Sequence, residues 1–188
     1  MLVAFHKPYG VLSQFTSNLP SQKSLKEFHF PPRLFPIGRL DADSEGLLLL
    51  SDEAHWNAKL LRPENHVEKT YWALVEREPR PEALGKLRTG VSIHGVSTRP
   101  ALATLLVPQP VVLPRYPPVR YRKNVQDYWI ELRLIEGRNR QVRKMTAAVG
   151  HPTLRLIRVA IGDFSIGLLL PGEWREISEA EKRLICGN

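Results

Sequence analysis

The 188-residue chain has a single cysteine, Cys186, and few long apolar runs. One cysteine cannot form an internal disulfide or a multi-cysteine zinc site, so neither kind of cross-link stabilises an isolated chain. Apolar runs are short, as in residues 47–50, whereas a membrane span needs about 20 such residues. The first residues lack the charged head, apolar stretch and cleavage site of a secretory signal. We therefore expect a cytoplasmic protein without membrane contact.

The composition indicates a folded protein with an anionic partner. Hydrophobic residues make up 43% and charged residues 24% of the chain, close to the average of globular proteins. The length predicts one domain with a sizeable core. The net charge of +8 and the pI of about 9.9 favour a polyanion such as RNA or DNA. A basic surface with no partner is the alternative.

Strand patterns outnumber helix patterns along the chain. Strands are predicted at residues 2–6, 10–14, 46–50, 69–76, 91–94, 101–107, 128–135, 154–159, 163–166 and 173–177. Helices are predicted after Ser51 as far as residue 61, from Pro81 to Gly90, from 142 to 149 and at 178–185. Residues 17–36 are predicted to be irregular, with one helical turn at 24–28. Because long crossover helices do not follow every strand, we predict an α+β fold with a large, mostly antiparallel mixed sheet and flanking helices.

Residues 38–46, GRLDADSEG, place three carboxylates within five positions: Asp41, Asp43 and Glu45. The spacing imitates the start of a calcium loop. Its twelfth position would be Asp52 instead of a bidentate glutamate, and a proline-rich stretch replaces the entering helix, so calcium is excluded. A carboxylate on a glycine-bounded loop suits a nucleophile or general base. From this segment alone, a solvated acidic turn is the favoured alternative.

Residues 69–72, KTYW, combine a cation with aromatic rings. An aromatic side chain can stack on a base while a neighbouring cation holds a phosphate. On this interpretation Tyr71 contacts RNA and Lys69 assists it. Taken alone, Tyr71 is more typical of a residue that packs within a strand.

Residues 136–144, EGRNRQVRK, place four cations at a predicted strand-to-helix turn. Guanidinium groups beside the first amides of a helix form an anion site, for a phosphate or a carboxylate. Because Val142 and Met145 are expected to anchor the helix, Arg138, Arg140 and Arg143 can point elsewhere. The alternative is a solvated basic face, but cations at a helix N-terminus oppose the helix dipole, so a bound anion is favoured.

Residues 108–124 form a proline-rich basic segment with five prolines, four arginines or lysines and two tyrosines. We predict an extended loop between two strands. Its cations are Arg115, Arg120, Arg122 and Lys123, and Tyr116 and Tyr121 lie among them. The loop either docks RNA or is a solvated insertion.

Four segments taken together resemble one protein family. They are GRLDADSEGLLLLSDE, KTYWALV, EGRNRQVRKM and LRLIRVAIG, in this order, with HKPYGVLS and RPALATLLV as further matches. They are similar to the RNA pseudouridine synthases, and within them to the group that modifies ribosomal RNA. The resemblance extends from Phe5 to Glu176. Because the chain starts directly at the HKPYG segment, it most resembles large-subunit members that lack an S4-type RNA-binding domain.

The resemblance implies a pseudouridine synthase fold: one catalytic domain over residues 1–188, made of two α/β subdomains that share a sheet and enclose a central active-site cleft. It implies that the protein isomerises one uridine of ribosomal RNA, with large-subunit rRNA as the expected substrate. It also implies a monomer that needs no cofactor or metal. The N1–C1′ bond breaks, the base turns, and C5 bonds to C1′. The implied catalytic residues are Asp41, Tyr71 and Arg143. The implied substrate-binding residues are Arg39, Lys69, Arg138, Arg140 and Leu156.

The resemblance also implies individual roles. Asp41 is the reacting carboxylate, which attacks the base or the ribose or removes a ribose proton. Tyr71 stacks on the uracil and helps to move the C5 proton, Leu156 packs beside the base, and Arg143 orients Asp41. A guanidinium next to a carboxylate lowers the carboxylate's pKa and keeps it ionised.

Two other function classes suit the same residues less well. One is a non-catalytic RNA-binding or ribosome-assembly module on the same fold, which the complete set of Asp41, Tyr71 and Arg143 disfavours. The other is a glycosidase with paired carboxylates, which the charge of +8 and the arginine-rich turn disfavour.

Overall fold

A computed structural model describes residues 1–17, 19–120 and 122–186. Its strands are Leu2–Lys7 (β1), Phe35–Pro36 (β2), Glu45–Ser51 (β3), Lys69–Glu76 (β4), Ser92–Ile93 (β5), Val96–Ser97 (β6), Leu102–Leu105 (β7), Asp127–Leu134 (β8), Thr153–Ile161 (β9), Phe164–Ser165 (β10) and Trp174–Glu176 (β11). Its helices are His55–Leu61 (α1), Pro81–Thr89 (α2), Gln141–Ala148 (α3) and Glu179–Cys186 (α4), with 3-10 turns at Leu25–Phe28 and Pro63–Asn65. No helix in these ranges is long and apolar enough to cross a membrane.

The chain forms two compact units, residues 1–67 with 157–188, and residues 68–156. In the first unit the strand order is β11-β1-β3-β9, with β1 antiparallel to both neighbours and β3 parallel to β9. In the second unit the order is β9-β4-β8-β7, and β8 is antiparallel to β4 and β7. Strand β9 begins in the second unit and ends in the first. The predicted α+β class with a large mixed sheet is confirmed.

Each unit has its own hydrophobic core. In the first, all seven residues of β3 are buried, as expected of a strand covered on both faces, and Leu47 and Leu49 pack with Trp56 of α1. In the second, β4 and β8 pair over eight residues, and α3 packs through Val142 and Met145, which are 4% and 0% exposed. The predicted anchoring of α3 by these two side chains is confirmed.

Three sequence predictions of local structure are wrong. Residues 10–14 form no strand, because their only ladder pairing is a single bridge between Val11 and Lys23. Helix α1 begins at His55 and not directly after Ser51, because Ser51 is still paired with Leu2 and Phe35 as the last residue of β3. The stretch 17–36 contains strand β2, which pairs with β3.

The pairing of β3 with β9 depends on Gly46. This residue has φ +103°, and a Cβ built on it would lie 2.3 Å from the carbonyl oxygen and 2.7 Å from the nitrogen of Arg158. The Arg158 side chain adds a further link, since its Nε donates to the Leu47 carbonyl over 2.7 Å. Any side chain at position 46 would therefore force the two strands apart.

Gly46→Ala is expected to lower the free energy of unfolding by at least about 2 kcal/mol, because the positive φ is strained and the Cβ meets backbone. Gly85→Ala is the matched control. Gly85 lies inside α2 with nothing within 4 Å of its Cβ position, so alanine should stabilise the protein by about 0.5–1 kcal/mol. Urea unfolding of both variants checks this, and an unchanged midpoint for Gly46→Ala would contradict the close approach.

Candidate active site

The carboxylate-rich loop lies in the first unit, directly before β3. Asp41 and Asp43 are half-buried, and Glu45 is 2% exposed as the first residue of β3. The acidic turn is therefore only partly solvated. Arg39, two residues before Asp41, is exposed. The loop thus holds one carboxylate inside the protein and keeps two others at its surface.

The backbone on both sides of Asp41 is held by hydrogen bonds. On one side, the buried Ser13 hydroxyl accepts the N–H of Leu40 over 3.0 Å and donates to its carbonyl over 2.7 Å. On the other, the Ala42 carbonyl accepts the N–H of Gly10 over 2.7 Å. The N–H of Ser44 closes a turn onto the Asp41 carbonyl over 3.0 Å. The peptide that carries Asp41 is consequently fixed before any substrate binds.

Lys7, the last residue of β1, is completely buried beneath this loop. Its ammonium donates to the carbonyls of Val11, Pro8 and Ala42 over 2.7, 3.0 and 3.5 Å. Three acceptors match the three N–H donors of an ammonium group. One buried lysine therefore ties the residue after Asp41 to the turn after β1.

Lys7 is also coupled electrostatically to the loop. Burial lowers the pKa of Lys7 from its ordinary value of 10.5 to about 8, and the negative charges of Glu45, Asp43 and Asp41 oppose this shift. Desolvation of the ammonium is thus the larger effect, as expected for a buried amine. At neutral pH the group keeps its proton and places a positive charge near the three carboxylates.

The sequence patterns predicted no role for Lys7 or Ser13, although both lie in the HKPYGVLS segment. The available signal was a lysine that ends an apolar strand and precedes a proline, which is an unusual place for a solvated cation. Their partners are distant in sequence: Ser13 and Leu40 are 27 positions apart, and Lys7 and Ala42 are 35 apart. Local patterns do not reveal interactions of that range.

Tyr71 and Leu156 belong to the same apolar cluster of the second unit. Leu156 is 6% exposed and belongs to the core cluster against which the half-buried Tyr71 packs. Lys69 begins the same strand and is half-buried. The Tyr71 ring is therefore held on one side by apolar side chains and retains exposed surface. Such a ring serves equally well for packing and for stacking a base.

The three arginines of the basic turn have different surroundings. The Arg143 guanidinium donates to the Thr153 carbonyl over 3.2 Å, which fixes it between α3 and the start of β9. Arg140 is exposed and has φ +52° immediately before α3. Arg138 is paired with Glu136 over 3.2 Å. The predicted cations thus lie in or just before the first turn of one helix, and Glu136 partly neutralises Arg138.

The predicted residues are divided between the units. Arg39 and Asp41 belong to the first unit; Lys69, Tyr71, Arg138, Arg140, Arg143 and Leu156 belong to the second. Across residues 1–17, 19–120 and 122–186, no three His, Cys, Asp or Glu side chains are arranged to hold a metal ion. Within the second unit, Tyr71 packs against the cluster that contains Leu156, and the three arginines lie in or just before the first turn of α3.

Comparisons with known proteins agree on one family. The family model described as RNA pseudouridylate synthase matches residues 1–148. A ribosomal large subunit pseudouridine synthase E from Xanthomonas axonopodis pv. citri is 54% identical over 172 residues, which cover 91% of this chain and 90% of that protein. The protein of the same name from Vibrio parahaemolyticus is 44% identical over 176 residues, covering 94% of this chain and 73% of the relative. A crystal structure of a pseudouridylate synthase is 28% identical and superposes with a TM-score of 0.80, covering 98% of this chain and 73% of that one.

The buried amine makes stability depend on pH in a defined window. The unfolded chain keeps the Lys7 proton up to a pKa of about 10.5, whereas the folded protein releases it near 8. The unfolded state therefore binds more protons between these values, and stability rises with pH there. Below pH 8 both states are protonated and the contribution is constant.

Lys7→Met removes this titration with little change in side-chain length. The free energy of unfolding of the original protein, minus that of the variant, should rise between pH 8 and 10.5 by up to about 3 kcal/mol, since one pKa unit corresponds to about 1.4 kcal/mol. Urea unfolding at pH 7, 8, 9 and 10 measures the difference. A difference that stays flat across this range would show that Lys7 is solvated.

Proposed function

This chain belongs to the RNA pseudouridylate synthase family, and we propose that it converts one specific uridine of large-subunit ribosomal RNA to pseudouridine. The reaction breaks the N1–C1′ bond, turns the base, and joins C5 to C1′, with the C5 proton lost and a proton gained at N1. Atoms and electrons balance within the nucleotide, so the chemistry needs no cofactor. The main structural support for this proposal is that Asp41 is half-buried and that hydrogen bonds hold the backbone on both sides of it.

Asp41 is proposed as the reacting carboxylate. A nucleophile or base works best when its position is set before the substrate arrives, because little freedom then remains to be lost in the transition state. Ser13 holds the peptide before Asp41, and Gly10 with Lys7 holds the peptide after it. Glu45, at 2% exposed, is too deeply buried to reach a substrate.

Tyr71 and Leu156 are proposed to receive the target uracil. A base that reacts must leave its stack, and stacking on an aromatic ring offsets part of that cost. The Tyr71 ring is backed by the core cluster that contains Leu156 and keeps one part exposed. Packing against this cluster would keep the Tyr71 ring in one orientation while a base stacks on its exposed part.

The basic residues are proposed to hold the RNA backbone and to orient Asp41. Arg143 stays the proposed orienting guanidinium, and its donation to Thr153 fixes its direction. Arg39, Lys69, Arg138 and Arg140 stay proposed substrate-binding residues. Because Glu136 already neutralises part of Arg138, we expect Arg138 to contribute less to RNA affinity than the exposed Arg39.

Within the loop 108–124, Arg120, Lys123 and Tyr116 are proposed to dock RNA. Arg122 is not available for this, since it is ion-paired with Glu76 and lies 3.6 Å from Asp127. That pairing ties the end of the loop to β4 and β8. Arg120, Lys123 and Tyr116 are exposed, and Tyr121 lies outside the described residues.

We further propose that the protein acts as a cytoplasmic monomer.

The loop is tied to the second unit at another point as well. Arg155 on β9 donates to the Leu113 carbonyl over 2.8 Å, and its guanidinium lies 6.0 Å from the centre of the Trp129 ring. A segment held at both places loses less freedom when a ligand binds. This supports a docking role over a solvated insertion.

Asp41→Asn is expected to reduce tritium release from rRNA containing 5-tritiated uridine to background, because the nucleophile or base is removed while the side-chain volume hardly changes. RNA affinity should stay nearly unchanged. Asp43→Asn, the same change two residues away, is the control and should retain most of the turnover. Product formation by Asp41→Asn would contradict the assignment. RNA binding by the original protein without tritium release would instead indicate the non-catalytic module.

Tyr71→Phe keeps the ring and removes the hydroxyl, which forms no hydrogen bond with the described residues. If this hydroxyl moves the C5 proton, single-turnover rates should fall by about 10²–10⁴-fold, the usual scale of acid–base catalysis. The melting temperature should be unchanged. Tyr128→Phe, at another half-buried tyrosine on the neighbouring strand β8, is the control. Equal rates for the two variants would mean that Tyr71 only packs.

A further inference from the structure

The second unit contains a cavity that the proposed reaction does not use. Its volume is about 520 Å³, and it is lined at the end of β4, the start of α2 and the turn after α3. Glu76, which ends β4, follows Tyr71 by five residues, or about 17 Å at about 3.3 Å per residue. The cavity is therefore separate from the position where the base is proposed to stack.

Three cations line this cavity: Arg77, Arg80 and Lys86. All three are exposed, and none forms an ion pair within residues 1–17, 19–120 and 122–186. Two other arginines of the unit differ in this respect, since Arg122 pairs with Glu76 and Arg138 pairs with Glu136. A concave surface with three unpaired cations attracts an anion more strongly than a flat one, because the field is focused there.

The backbone of Arg77 is held in place at the edge of this cavity. The N–H of Arg77 donates to the Gln126 carbonyl over 2.9 Å. His151 also lines the cavity, and its Nδ1 lies 2.9 Å from the Glu76 carbonyl. Burial lowers the pKa of His151, so its ring lines the cavity as a neutral polar group. The positive charge is thus supplied by Arg77, Arg80 and Lys86.

We propose that this cavity binds backbone phosphates of the substrate RNA, a few nucleotides from the uridine that reacts. Glu78 and Glu82 also line it and weaken the attraction. The proposal therefore predicts opposite effects for the two charges: removal of the cations weakens RNA binding, and removal of the carboxylates strengthens it. This inference rests on the proposed function, since it takes the substrate to be RNA.

The test compares two triple variants that remove equal charge. Arg77→Gln with Arg80→Gln and Lys86→Gln changes the cavity. Lys26→Gln with Arg33→Gln and Arg62→Gln is the control, which removes three exposed cations from the first unit. Filter binding of transcribed large-subunit rRNA at several KCl concentrations gives the affinity and its salt dependence. Melting temperatures check that both variants fold.

For the cavity variant, affinity should fall, and the slope of log K against log salt should decrease by about 0.7–0.9 for each phosphate that the variant no longer binds. Tritium release at saturating RNA should be unchanged, because the reacting groups are elsewhere. Glu78→Gln with Glu82→Gln should bind RNA more tightly than the original protein. Equal affinities and slopes for the cavity and control triples, or weaker binding by the glutamine double variant, would overturn the proposal. If the original protein itself releases no tritium, the proposed function fails independently of the cavity.

Discussion

The peptide that carries Asp41 is held by groups that are themselves buried, and the candidate site depends on this. The Ser13 hydroxyl bonds both the N–H and the carbonyl of Leu40. The Ala42 carbonyl accepts hydrogen bonds from the N–H of Gly10 and from the Lys7 ammonium. A buried hydroxyl or ammonium that is deprived of its partners costs considerably more than an exposed one. Rearrangement of the loop is therefore unfavourable, and the backbone of Asp41 keeps one position relative to the core of its unit.

The same loop is continuous with the most buried strand of the first unit. Glu45 and Gly46 start β3, and Gly46 permits the backbone of Arg158 to approach to a distance that excludes any side chain. Packing of β3 between β1 and β9 thus fixes one end of the loop, and the Lys7 ammonium fixes its middle. Hydrogen bonds from Ser13, Gly10 and Lys7 thus hold the Asp41 backbone beside a buried strand, while Asp41 itself stays half-buried.

Strong local signals made several elements predictable from sequence. Alternation predicted β4 to the residue, and Pro81 with Gly90 predicted the bounds of α2. Residues 10–14 were wrongly predicted as a strand because Val11 and Ser13 are buried without sheet pairing: the Ser13 hydroxyl bonds the backbone of Leu40, and the Val11 carbonyl accepts from Lys7. The pairing of Arg122 with Glu76 could not be predicted either, since it joins residues 46 positions apart. The roles of Asp41, Tyr71 and Arg143 came from the family resemblance, and the structure adds the surroundings in which each would act.

The proposed function is best tested by mapping pseudouridines in the ribosomal RNA of a strain that lacks this gene. One pseudouridine should disappear from the large-subunit rRNA, and the intact gene should restore it. A complete set of large-subunit pseudouridines in the deletion strain, or a loss confined to small-subunit rRNA, would show that the protein does not modify large-subunit rRNA.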